Sequence, residues 1–234
     1  MPRFRDLPQF TRWSSYHVNL PWDYLPGSLI RYVDHYGLNM NPDFQRAHVW
    51  TPTQKVRYIE YVLQGGHSGR AIWTNAPGWQ AASDIGEFVL VDGKQRIEAA
   101  MGFLNNEFAI FEGQEYGGFY RDFTDKLDMM HANFEFHVNT LKTRDEVLQW
   151  YIDLNRGGTQ HSEEEIDRVR ALKNGSDWEP CSKEQRLVDA RFDRQIVVDA
   201  YAKEAEREEA MRKHRAEQDA LEAAKPKRGR KKAR

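Results

Sequence analysis

The stretch FVLVDGKQRIEAA, residues 88–100, decides how this chain folds. Phe88 to Val91 form a short, fully apolar run, the pattern of a buried strand. Ile97, Ala100, Met101 and Leu104 then recur at i, i+3, i+4 and i+7, so the spacing predicts a helix from about Lys94. Between them stand Asp92, Gly93, Lys94, Gln95 and Arg96. A helix start leaves backbone N–H groups unpaired and carries about half a positive charge, which makes it an anion site. Gly93 permits a sharp turn and a close approach by a ligand. Lys94 and Arg96 add charge, and a guanidinium grips phosphate through two parallel hydrogen bonds. Gln95 suits a base, a sugar or a carboxylate. Asp92 suits a metal, a water or a simple pair with Arg96. Two readings stand side by side: a phosphate cradle, or a capped turn with its cations in solvent. No Walker A sequence occurs, which excludes a P-loop enzyme.

Outward from this junction the chain alternates helices with short strands. In TPTQKVRYIEYVLQGG, residues 51–66, Thr51 is the expected N-cap, Pro52 the first helical residue, and Gln54 the partner in a capping box. Val56, Ile59, Val62 and Leu63 form its apolar stripe, and Gly65-Gly66 ends it. Leu29, Tyr32, Val33 and Tyr36 share one face of an earlier helix that Gly37 stops. Strands are expected at Ala71–Trp73, at FAIF (108–111) and at FEFHV (134–138), with a loop through Gly86. Thr143 with Glu146, and Ser162 with Glu165, are two more capping boxes. Val147, Trp150, Tyr151 and Leu154 line the helix that the first of these opens, and Asn155-Arg156-Gly157-Gly158 breaks it. A helical pattern runs from about Leu187 to Ala224, almost wholly charged or Ala after Tyr201, as a solvated helix would be.

The sequence has 234 residues, 40% hydrophobic and 12% aromatic, enough for a real core. No apolar run is long enough to span a membrane, and the first residues lack a secretory h-region. The single cysteine, Cys181, excludes an internal disulfide and a cysteine metal cluster. His131 and His137 flank ANFEF without an acid or Cys at metal spacing, and Asp122, Asp125 and Asp128 look like a solvated helix face, so no metal site is expected. The Trp and Tyr residues of the first forty positions are expected to pack the core, with base stacking by RWSSY (12–16) as the alternative. Seven of the 34 basic residues fall in the last ten, KPKRGRKKAR, leaving 27 basic against 36 acidic in the rest: an acidic body with a basic tail. Lys225, Lys227, Arg228, Arg230, Lys231 and Lys232 are candidate phosphate contacts on a nucleic acid. The tail's PKRGRKK resembles the Arg-Gly-Arg core of AT-hook peptides.

Two further loops bracket the central turn: NPDFQRAHVW (41–50) and LNRGGTQHSEEE (154–165). Each alone reads as a simple turn. In order with VLVDGKQR, they resemble the three hallmark segments of the N-terminal domain family of GmrSD-type modification-dependent restriction endonucleases, over about residues 15–175. VLVDGKQRIEAA is also similar to a stretch of ParB proteins. The resemblance implies an α+β fold: a small mixed sheet of ParB/sulfiredoxin-like type surrounded by helices, over residues 1–200. A charged helix (201–224) and a disordered basic tail (225–234) follow.

It also implies a nucleotide-binding module that associates with DNA in restriction, phage defence or phage biology, with NTP and Mg²⁺ as expected ligands and NTP hydrolysis as a further expectation. The family's DGQQR falls on Asp92, Gly93, Lys94, Gln95 and Arg96, with Asp92 and Arg96 in catalytic roles. Its QR pair falls on Gln45 and Arg46, and its helix break on Asn155, Arg156, Gly157 and Gly158. Lys94 replaces a Gln, which keeps anion binding and removes an amide. Ala47 replaces the usual Pro. The HNH nuclease domain of full-length relatives has no counterpart, since only His214 lies beyond residue 161. A stand-alone or truncated cytoplasmic module is therefore expected, in a bacterium or a phage-infected cell, with a nuclease partner subunit. The alternatives are a non-enzymatic DNA-binding adaptor and a ParB-like nickase or nuclease.

Overall fold

In the computed structural model the described residues are 10–11, 14–45, 50–79, 87–125, 127, 132–156, 163–173, 182–183 and 185–186, with single positions at 202, 205, 209, 212, 213, 215 and 216. The chain divides into two units, Met1–Phe192 and Asp193–Arg234. In the second, the described positions are helical and exposed, and Glu209 pairs with Lys213 one turn on at 2.8 Å. The basic tail lies outside the described residues.

The first unit is built on four strands: β1 (Tyr16–Pro21), β2 (Ala71–Asn75), β3 (Val89–Asp92) and β4 (Asn133–Asn139). Their spatial order is β1-β4-β2-β3. β4 runs antiparallel to β1 and parallel to β2, and β3 is antiparallel to β2 with an irregularity at Trp73/Thr74. The sheet is therefore mixed, and the fold is α+β as expected. Alternation sorts the side chains. Ile72, Leu90, Phe134 and Phe136 are buried on one face, with Tyr32 of α1 (Leu25–Asp34) against Phe136 at 5.8 Å. Trp73, Val89 and Val91 are buried on the other, in one cluster with Val147, Leu148, Trp150, Tyr151 and Ile152 of α4 (Arg144–Arg156) and Val169 of α5 (Glu163–Leu172).

The capping chemistry works as the sequence predicts. Thr51 caps α2 (Pro52–Leu63), with both halves of its box formed by Gln54. Glu146 accepts from the Thr143 N–H at 3.0 Å and returns its own N–H to the Thr143 hydroxyl at 3.3 Å. α3 (Lys94–Leu104) begins at the expected residue. The Ser162 box, the loop at 80–86 and the Gly157-Gly158 break lie outside the described residues.

Three expectations fail. FAIF is not a strand: Phe111 sits at φ 50 and Glu60 accepts its N–H at 2.7 Å, leaving only an isolated bridge from Ile110 to Gly118. The aspartate row does not begin as a helix face, because Asp122 closes a single 3-10 turn (Tyr120–Asp122), accepts the Phe119 N–H at 2.8 Å and is followed by non-helical residues to Asp125; Asp128 lies outside the described residues. Of the early aromatics, Trp22 is fully buried, but Tyr16, Tyr24 and Tyr36 are exposed. Tyr36 falls past the end of α1, where the helical period no longer aims it at the core.

Candidate functional site

The β3–α3 turn holds its shape through glycine. Gly93 sits at φ 112, and a Cβ there would lie 2.5 Å from the Ile72 Cδ1 atom of β2. Both the backbone angle and the contact demand the bare residue. The N–H groups of Arg96 and Ile97 bond the Gly93 carbonyl at 3.1 and 3.0 Å. The N–H groups of Lys94 and Gln95 precede these first helical bonds, and they form the electropositive mouth of α3.

Behind that mouth the polar side chains are engaged. Arg96 pairs with Asp92 one turn back and donates through Nη1 to the Ala71 carbonyl at 2.6 Å. Its side chain is 16% exposed and that of Asp92 38%. Arg96 is thus a brace from α3 to the first residue of β2, and Asp92 holds it straight. Tyr58 packs beside the brace and donates to the Gly69 carbonyl at 2.8 Å. Burial pushes its phenol well above the ordinary range, against the opposing pull of Arg96 and Arg70. Gln95 accepts the Trp50 N–H at 2.8 Å. Lys94 is the motif cation outside the brace: its Nζ donates to the Asn41 amide oxygen at 2.5 Å.

The 41–45 loop reaches the same strand from its other side. Gln45 donates through Nε2 to the carbonyls of Leu90 and Val91, both at 3.0 Å. Phe44 is fully buried in the cluster shared with α4 and α5. Asp43 pairs with Arg144, whose side chain is 6% exposed. Arg168 donates to the Asp43 and Phe44 carbonyls at 3.1 and 2.8 Å. Asn39 bridges Val89 and donates to Glu87 at 2.9 Å. Burial raises the Glu87 pKa, and the Asn39 bond opposes that rise.

Of the site residues expected from sequence, Gln45, Asp92, Gly93, Lys94, Gln95 and Arg96 are therefore gathered around the end of β3. Asn155 bonds its own helix instead, through Nδ2 to the Tyr151 carbonyl at 2.7 Å. Arg46, Gly157, Gly158, the Arg156 side chain and the basic tail lie outside what is described. Asn41, Tyr58, Arg144 and Arg168 complete the arrangement and were not legible from sequence. No local signal marked them, since an arginine or an amide shows no partner until the fold supplies one. Chemically, the turn offers one paired carboxylate, two cations and two helix-start N–H groups, a set suited to a phosphate. Among the described residues, no group of three or more His, Cys, Asp or Glu side chains is placed to hold a metal ion. No described helix is long and apolar enough to cross a membrane.

One family model, described as the GmrSD restriction endonuclease, N-terminal domain, matches residues 29–225. Neither the comparison with curated proteins nor that with solved structures gives a match.

Proposed function

The chain belongs to the GmrSD restriction endonuclease N-terminal domain family, and from that premise we propose a DNA-associated module of restriction or phage defence whose β3–α3 turn binds a nucleotide by its phosphates. The observation that carries the reading is the left-handed Gly93 opening an eleven-residue helix, with Lys94 beside the two helix-start N–H groups. In this reading Lys94 and those N–H groups meet the phosphate. Arg96 and Asp92 act from behind, keeping the turn closed and net positive. Gln45 and Gln95 lock the flanking loop to the turn. The basic tail serves the DNA side of the role through phosphate contacts.

A nucleotide brings Mg²⁺ with it. The turn contributes one carboxylate, Asp92, already held by Arg96, so the residues present do not fit a protein-held ion. Hydrolysis makes a further demand: Asp92 must part from Arg96 to orient a water. The reading is therefore of a binding site first, with turnover as the finer expectation that release of inorganic phosphate would report.

Isothermal titration with ATP, GTP and CTP in the presence of Mg²⁺ tests it. The informative variant is Lys94→Ala, because Lys94 bonds only an exposed amide, whereas Arg96→Ala also strips the Ala71 carbonyl of its donor. Loss of one charge-assisted bond is worth about 1.5–3 kcal/mol, so at least roughly tenfold weaker binding is expected, with an unchanged circular dichroism spectrum. Absence of heat with every nucleotide at millimolar concentration would overturn the proposal.

A further inference from the structure

We propose that the outer edge of β1 is a self-association surface, on which β1 of a second copy of this chain pairs antiparallel about a two-fold axis at Val18. A strand at a sheet edge presents a row of unpaired N–H and C=O groups, and folded proteins usually cover or charge such rows. Among the described residues β1 pairs with β4 alone. Its sequence, YHVNLP, contains no Lys, Arg, Asp or Glu, and Tyr16, His17 and Asn19 are exposed.

The register says which groups face outward. Trp22 donates to the Ala132 carbonyl at 2.9 Å, continuing the β1–β4 pairing by one step. Antiparallel pairs alternate between bonded and non-bonded, so Tyr16, Val18 and Leu20 turn their backbone groups toward β4, and His17 and Asn19 turn theirs away. Ser15 also donates to the Val138 carbonyl, at 3.0 Å, a bulge that ends the ladder at one side. Pro21 ends the outward row at the other, at an outward position where its missing N–H interrupts nothing. These two features bound the open stretch without covering it.

That stretch is complementary to itself. With the axis at Val18, His17 of one copy lies opposite Asn19 of the other. The two exchange backbone bonds on both sides of the axis, and their polar side chains meet on one face. On the opposite face Tyr16 lies against Leu20 of the second copy, and Val18 against its own equivalent. Each pair is polar with polar or apolar with apolar, and the strand carries no like charges to repel, which is what an isologous interface requires. The result is one continuous eight-stranded sheet with the two β3–α3 turns at its far edges. The inference is independent of nucleotide binding.

Sedimentation equilibrium of the full chain, without nucleotide, tests it with charge-swapped pairs. The wild type is expected to be dimeric at micromolar concentration. His17→Lys with Asn19→Lys sets like charges directly opposite each other and is expected to be monomeric, as is His17→Glu with Asn19→Glu. An equal mixture of the two variants is expected to form a heterodimer. Both positions are exposed, so circular dichroism should not change. A monomeric wild type, a Lys variant as dimeric as the wild type, or variants that remain monomeric when mixed would overturn the proposal. A wild-type chain that stays monomeric but binds an added unrelated strand peptide at β1 would equally overturn it.

Discussion

At the β3 edge of the sheet the chain folds back and seals its own backbone. Asn39 exchanges bonds with Phe88 and Leu90, at 2.8 and 2.9 Å, and the Gln45 amide covers the carbonyls of Leu90 and Val91. At the β1 edge no described segment does this, and the strand carries no charge that would discourage a partner. The difference teaches what the 41–45 loop is for. Three of its residues are tied to the rest of the fold. Asp43 is clasped by Arg144, Phe44 is a core residue, and Gln45 is a substitute strand. The loop aims the end of β3, and the end of β3 sets Gly93. Sealing one edge and positioning the β3–α3 turn are thus a single structural task, while no described segment seals the other edge.

The contrast is broken most severely at Phe44. Phe44→Ala empties a fully buried ring site and is expected to cost about 3–5 kcal/mol, read from urea denaturation. The nucleotide binding proposed for the turn should weaken with it, because the turn loses its support. A loss under about 1 kcal/mol would mean that the loop is not an anchor.

A smaller effect is expected at the seal itself. Gln45→Ala removes the donor from two strand carbonyls and should cost about 1–3 kcal/mol. Hydrogen exchange should quicken at β3 and remain unchanged at β1. Equal quickening at both strands would erase the distinction between the edges.

The smallest effect concerns the open side. His137 of β4 stacks on Trp73 at 4.2 Å, pairs in register with His17 of β1, accepts or donates to the Ser14 hydroxyl at 3.3 Å, and faces Glu135 at 3.6 Å. Burial lowers its pKa, while the Glu135 hydrogen bond and charge oppose the shift and His17 adds to it. The folded form therefore binds a proton less readily than the unfolded chain. The stabilising contribution is complete above the unfolded value of about 6.5 and is lost as pH falls through the folded value. The urea midpoint of the wild type should fall across that window relative to His137→Phe, which keeps the ring and cannot titrate there. Parallel midpoints for the two proteins would show that the buried imidazole contributes nothing.

Much of the architecture was legible because its signals are local. The box of Thr51 with Gln54, the box of Thr143 with Glu146, and the alternation of Phe134, Phe136 and Val138 each need only a few neighbouring residues, and each appears as expected. FAIF failed for the same reason in reverse: its apolar run has strand propensity, but Glu60 of α2, 51 positions away, captures Phe111 in a turn. The candidate site was legible as a set of positions and not as a set of contacts. The plainer reading of the DGKQR turn leaves Arg96 in solvent, whereas the structure holds it largely buried, paired with Asp92 and bonded to the Ala71 carbonyl.

By itself, the sequence determined where α2 and α3 start, where the Thr143–Glu146 box opens α4, and which residues are apolar enough to pack. These follow from capping, side-chain period and glycine freedom, all of which act within a few residues. Only the tertiary structure decided what the polar motif residues face. The acceptor of Arg96 lies 25 positions away, those of Gln45 lie 45 and 46 away, and the carboxylate of Asp43 waits 101 positions from Arg144. A buried polar group must find a partner, and no local rule says which carbonyl will be within reach once the chain has closed.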